Sequence, residues 1–344
     1  MLNARLRHPC GARGRPDATL TGIAARAKSA RSPPLASPVP PVTRPYAILD
    51  VFANTPLAGN PLAVVLDGAG LDDARMQAIA REFNLSETVF VLPADNRVHS
   101  ARVRIFTPAR ELPFAGHPTV GTAVLLASRK LAQGAGKEQM LVLEELVGAI
   151  RCGVFMKGEG AGHAIFDLPR LPHVVERNFE RETVAAALGL LPAEVGFENH
   201  VCCAYDAGVP YAFVPVRDLD VIARATPQAD KLWSAAFGES SHPNAFVYCR
   251  QTRGTGRHFH ARMFAPDLGI GEDPATGSAA AAFAGVVCRF DTPPSGGHRY
   301  VIEQGFEMGR PSLITLEIDV EKGALAAARI GGDAVVVAEG TLAV

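Results

Sequence analysis

Two stretches of this chain are helical in pattern yet apolar on nearly every side, 118–131 and 274–288. A helix without a polar face has to be buried all round. Short runs of strand character surround each one, punctuated by Gly, Pro, Asn and Asp. The first set is 46–52, 61–66, 88–92 and 101–106, with 141–143 and 149–154 after the helix. The second is 164–168, 211–216, 244–249 and 258–264, with 300–303, 313–318 and 334–338 after it. Amphipathic spacing predicts further helices over 71–83 and 181–188. The pattern is therefore a mixed α/β fold of two halves, each a sheet wrapped around one central helix. At 344 residues and 48% hydrophobic, the chain is long and apolar enough to fill two such cores. The expected division is 45–160 and 161–344, with the last strand able to return to the first half.

The formal net charge of -1 provides no global field to draw nucleic acid or an anionic membrane. It conceals an asymmetry, because residues 1–42 carry seven Lys/Arg against Asp17 alone. Residues 1–44, rich in Arg, Ala, Ser and Pro, are expected to be a disordered extension. A neutral tail accounts for them, and an Arg/Ser-rich, acid-poor leader also suits an organelle transit peptide. No apolar run reaches the roughly 18 residues a membrane helix needs. The six cysteines are scattered, without a C-x-x-C pair, as expected of reduced core thiols in a cytoplasmic protein.

Three segments stand out chemically. Glu111-Leu112-Pro113-Phe114-Ala115-Gly116-His117-Pro118 and Gly271-Glu272-Asp273-Pro274-Ala275-Thr276-Gly277-Ser278 each lead into a buried helix. His117 and Asp273 both precede a proline, which suits a helix start and keeps the preceding residue out of the α region. Free N–H groups and the helix dipole at such a mouth favour a carboxylate, and Gly116 and Gly277 allow close backbone approach. Two such mouths facing one cleft would bind a small carboxylic acid. In the third segment, Asn84-Leu85-Ser86-Glu87-Thr88, Glu87 lies between a helix and an apolar strand. Desolvation there would raise its pKa toward neutrality, as a proton-transfer group requires. Taken singly, helix capping accounts for His117 and Asp273, and a surface or cap-partner role accounts for Glu87. The run 158–162 reads as a hairpin turn, and His258 and His260 lack a third metal ligand nearby.

In order, Gly59-Asn60-Pro61, Asn84-Leu85-Ser86-Glu87-Thr88, Glu111 through Ala123, and Asp273-Pro274-Ala275-Thr276-Gly277-Ser278-Ala279 resemble the motifs of the PhzF family, within the diaminopimelate-epimerase-like fold. The resemblance spans roughly residues 46–344. It implies two pseudo-symmetric domains, each a mostly antiparallel sheet around a central helix, with the site in the cleft between them. It implies a cofactor-free isomerase, often a homodimer, that shifts a proton on a small carboxylate, as in the isomerisation of trans-2,3-dihydro-3-hydroxyanthranilate. Glu87 then matches the acid/base carboxylate, His117 and Asp273 the groups assisting it, and Gly116, Gly277 and Ser278 the substrate-anchoring positions. Racemising relatives carry a cysteine at each helix mouth; Ala115 and Thr276 stand there in this chain. An amino-acid racemase or epimerase, or a non-catalytic binding protein of the same fold, are the alternatives. Two alignments of the halves compete. One superposes Pro118 and Gly121 on Pro274 and Gly277, and the other, expected here, superposes Gly116-His117 on Gly277-Ser278, so the second helix begins between Pro274 and Ser278.

Overall fold

A computed structural model describes residues 43–344, apart from 239, 241–242 and 267–269; nearly all of the basic leader lies outside the described residues. The first half runs β1 (Thr43–Val51), β2 (Asn60–Val65), α1 (Asp73–Phe83), β3 (Glu87–Leu92), β4 (Ala101–Phe106), β5 (Glu111–Leu112), α2 (Gly116–Ala132), β6 (Glu138–Glu145), β7 (Gly148–Gly158) and β8 (Ala161–Asp167). β9 (His173–Val174) and α3 (Arg181–Leu188) follow. The second half runs β10 (Cys203–Asp206), β11 (Pro210–Pro215), α4 (Leu219–Arg224), α5 (Asp230–Phe237), β12 (Ala245–Cys249), β13 (Phe259–Ala265), β14 (Ile270–Asp273), α6 (Gly277–Phe290), β15 (Gly296–Gln304), β16 (Ser312–Glu321) and β17 (Ala324–Ala343).

The strand pairings repeat. In the first half β2–β3 and β4–β6 are parallel, and the remaining neighbours are antiparallel. The second half has the same pattern, with β11–β12 and β13–β15 parallel. A short strand beside β4 or β13 precedes each central helix. The halves are joined where β8 pairs antiparallel with β17. Beyond that pairing β17 continues onto β1, and the chain after β8 continues as β9 onto β10. The circuit β1-β2-β3-β4-β6-β7-β8-β17 therefore closes on itself around α2. Closure removes the free edges that an open sheet would expose. Both central helices are buried along most of their length in one continuous hydrophobic core.

Several expectations need correction. Thr43 and Arg44 belong to β1 and not to the leader, because Ala343 and Leu342 at the end of β17 supply their strand partners. The division expected at 160/161 falls at the tip of the β7–β8 hairpin, so a boundary after Asp167 fits the pairing better. The first central helix starts at Gly116, two residues before Pro118, and the second at Gly277, inside the span 274–278 that the alignments left open. Strand β17 is far longer than 334–338, and β10, α4 and α5 were not anticipated.

Candidate active site

The starts of α2 and α6 settle the alignment of the halves. Glu111-Leu112-Pro113-Phe114-Ala115-Gly116-His117 superposes on Glu272-Asp273-Pro274-Ala275-Thr276-Gly277-Ser278, residue for residue, and the helices begin at Gly116 and Gly277. Both mouths are braced alike. Arg104 on β4 makes two 2.6 Å bonds to Glu111, and Arg262 on β13 makes two 2.8 Å bonds to Glu272. Such forked pairs fix orientation as well as charge.

The two mouths touch. A Cβ placed on Gly116 would lie 2.9 Å from the Gly277 backbone, and one on Gly277 would lie 3.0 Å from Gly116 Cα. Only glycine at both positions allows this approach. The N-caps are Ala115 and Thr276, and neither caps its helix through a side chain. The leading N–H groups of both helices therefore lack intrahelical acceptors. They border one cavity of about 680 Å³, lined among others by Glu87, His117, Tyr211, Asn244, Asp273 and Ser278. The volume suits a small organic ligand.

Glu87, His117 and Asp273 converge on this cavity from β3, α2 and β14. His117 and Asp273 are not caps, since the cap positions are Ala115 and Thr276, and Glu87 is not a surface residue. Glu87 Oε2 lies 3.3 Å from His117 Nε2, without hydrogen-bond alignment between them. Burial, and secondarily the charge of Asp273, raise Glu87 to about 8. Burial also raises Asp273, but hydrogen bonds from Thr276 Oγ1 (2.5 Å), Asn60 Nδ2 (2.9 Å) and Ser86 Oγ (3.5 Å) hold it to about 6. Burial lowers His117 to about 3, so its imidazole is neutral. Near neutral pH the cluster thus holds an ionised Asp273 beside a largely protonated Glu87. Two carboxyls pushed apart in this way can divide into a proton donor and a charged neighbour.

Gly116, Gly277 and Ser278 line the same cavity, and Ser278 Oγ is 2.8 Å from the buried Tyr211 hydroxyl. Sequence reasoning missed Tyr211, Gln304 and the role of Asn60. Buried Gln304 bonds Thr276 twice, by accepting from its N–H (3.1 Å) and donating to its Oγ1 (2.9 Å), and also donates to the Asp273 carbonyl (2.8 Å). The repeated spacing Glu-x-Pro-x-x-Gly at 111–116 and 272–277 was the signal that would have paired the mouths. Among the described residues no cysteine lines the cavity, and burial pushes the thiols of Cys202, Cys203 and Cys249 up to about 12. His260 is held between Glu303 and Glu307, and among the described residues no three His, Cys, Asp or Glu are grouped to hold a metal.

The sequence profile described as "Phenazine biosynthesis-like protein" matches residues 49–340. An uncharacterised isomerase of Mesorhizobium japonicum is 52% identical over 303 residues, 87% of this chain and 99% of that protein. The trans-2,3-dihydro-3-hydroxyanthranilate isomerase of Pseudomonas aeruginosa is 35% identical over 296 residues, 86% of this chain and 98% of its own. A crystal structure of the Bacillus anthracis phenazine biosynthesis protein of the PhzF family superposes with a TM-score of 0.78 at 28% identity, covering 88% of this chain and 100% of that one.

Proposed function

The chain belongs to the phenazine biosynthesis-like family, and from that premise we propose a cofactor-independent isomerase that moves a proton on a small carboxylate-bearing substrate, of the trans-2,3-dihydro-3-hydroxyanthranilate isomerase type. The observation that carries this reading is the pair of buried carboxyls, Glu87 and Asp273, poised on either side of neutral pH at the meeting point of two helix mouths. The substrate carboxylate takes the free N–H groups of the helix starts. Ionised Glu87 removes a proton from one carbon and returns it to another. One C–H bond breaks, one forms and a double bond migrates, so no oxidant or reductant is needed. Neutral His117 and ionised Asp273 orient the substrate and carry the second exchangeable proton. The proposal extends to a cytoplasmic homodimer with no nucleic-acid or membrane partner; no described helix is long and apolar enough to cross a membrane.

Trans-2,3-dihydro-3-hydroxyanthranilate and a panel of cyclic amino and hydroxy carboxylic acids, followed by NMR in D2O, test the reading. Double-bond migration is expected, with kcat/KM rising as Glu87 ionises, toward a limb near 8 instead of the ordinary carboxylate range. Glu87→Gln keeps the shape and lowers turnover by about 10²–10⁴-fold while ligand binding survives. Full activity in that variant, or binding without any bond migration or isotope uptake across the panel, overturns the assignment. A two-thiol racemase is disfavoured because Ala115 and Thr276 occupy the helix mouths.

A further inference from the structure

The repeat alignment exposes a polar residue with no counterpart in the other half. Gly59-Asn60-Pro61 opens β2 as Gly208-Val209-Pro210 opens β11, so buried Asn60 answers to Val209. The turn that delivers Asn60 is tightly held. Gly59 has φ 68°, and Arg310 donates to the carbonyls of Ala58 (2.8 Å) and Gly59 (2.9 Å). The Asn60 amide nitrogen donates its two hydrogens to Asp273 Oδ1 and the Ala275 carbonyl, both at 2.9 Å, and faces His117 Nδ1 at 3.4 Å, where one of those hydrogens is shared.

The Ala275 carbonyl can only accept, so it fixes which end of the amide is the NH2 group. A ring Nδ1–H pointed at that NH2 would set donor against donor in a dry site. We infer that Asn60 is a positioning residue that fixes the tautomer of His117, keeping Nδ1 as an unprotonated acceptor and placing the ring proton on Nε2, 3.3 Å from Glu87 Oε2. The same side chain ties Asp273 and Ala275 of the second half to the helix-mouth histidine of the first. His117 thereby presents an Nε2–H on the Glu87 side, where both atoms lack a partner and a ligand can accept from it, and it is not a competing base. The lowered pKa of His117 agrees, since the ring titrates far below the range in which Glu87 works.

This inference deepens the proposed proton transfer, but its first readout needs no substrate. The full chain is labelled with ring-15N histidine, and the His117 signals are assigned by their loss in His117→Gln. The expected spectrum at neutral pH shows a protonated Nε2 and an unprotonated Nδ1. A protonated Nδ1 overturns the inference from the wild-type protein alone, whatever the variants do. In Asn60→Ala, and in Asn60→Val, which copies the other half, the two tautomers should mix. If turnover on a substrate is established, these variants should lose about tenfold or more in kcat, the worth of one hydrogen bond, with KM little changed. Unchanged tautomer signals in a folded Asn60→Ala also overturn it. Absence of turnover would count against the isomerase reading and leave the tautomer result standing.

Discussion

Glu87, Glu145 and Asp273 hold their protons above the ordinary carboxylate range chiefly because of burial, yet they lie in different settings. Glu145 stands outside the cavity, where its Oε1 accepts from Thr119 Oγ1 at 2.7 Å and its Oε2 has no partner. Burial lifts it from 4.5 to about 8. The folded chain thus keeps a proton that the unfolded chain has released, and the associated stability is present below 4.5 and lost as pH rises to about 8. Each pH unit inside that window removes up to about 1.4 kcal/mol. His117 has the opposite sign. Its folded form is neutral down to about 3, so stability tied to it is lost as pH falls below 6.5. Glu145→Gln removes one rising-pH penalty without touching the site. Its melting temperature, compared with wild type, should gain more at pH 8.5 than at pH 5.5, and an equal difference at both pH values would refute the raised pKa.

At the scale of elements, α2 and α6 meet end to end because neither Gly116 nor Gly277 carries a Cβ. A methyl on either would press on backbone, and overpacking of this kind costs about 1–3 kcal/mol. Gly116→Ala or Gly277→Ala should lower the melting temperature and weaken ligand-induced stabilisation, because the anion-binding N–H groups would no longer converge. Gly136→Ala, whose Cβ meets only one atom at 3.9 Å, is the control and should change neither property. Ligand-induced thermal shifts of the three variants decide the matter; wild-type shifts in both mouth variants would show that contact between the mouths is dispensable. The burial of these helices was legible in their all-apolar pattern. Their starts were legible only to within a few residues, because a proline fits the helix start and the extended segment before it equally well.

The molecule as a whole is held by β17, which pairs with β16 and β8 and with β1, from Ala334 opposite Val51 to Ala343 opposite Thr43. Ending the chain at Asp333, before the first residue that pairs with β1, should open the first barrel and leave the second sheet paired. Hydrogen exchange should then quicken in β1 more than in β11–β13, whereas uniform loss of protection would mean that the two halves unfold as one unit. What the amino-acid order determined by itself was local. It set which helices are buried, from their lack of a polar face, and which segments form the helix mouths, from the prolines and glycines that shape them. Tertiary structure decided the rest. The contact of Gly116 with Gly277, the strand partner of Thr43, and the reach of Asn60 to His117 and Asp273 all join residues far apart in the chain. The raised pKa values of Glu87 and Asp273 depend on the same closure, because only the folded halves exclude the water that would otherwise keep both carboxyls ionised.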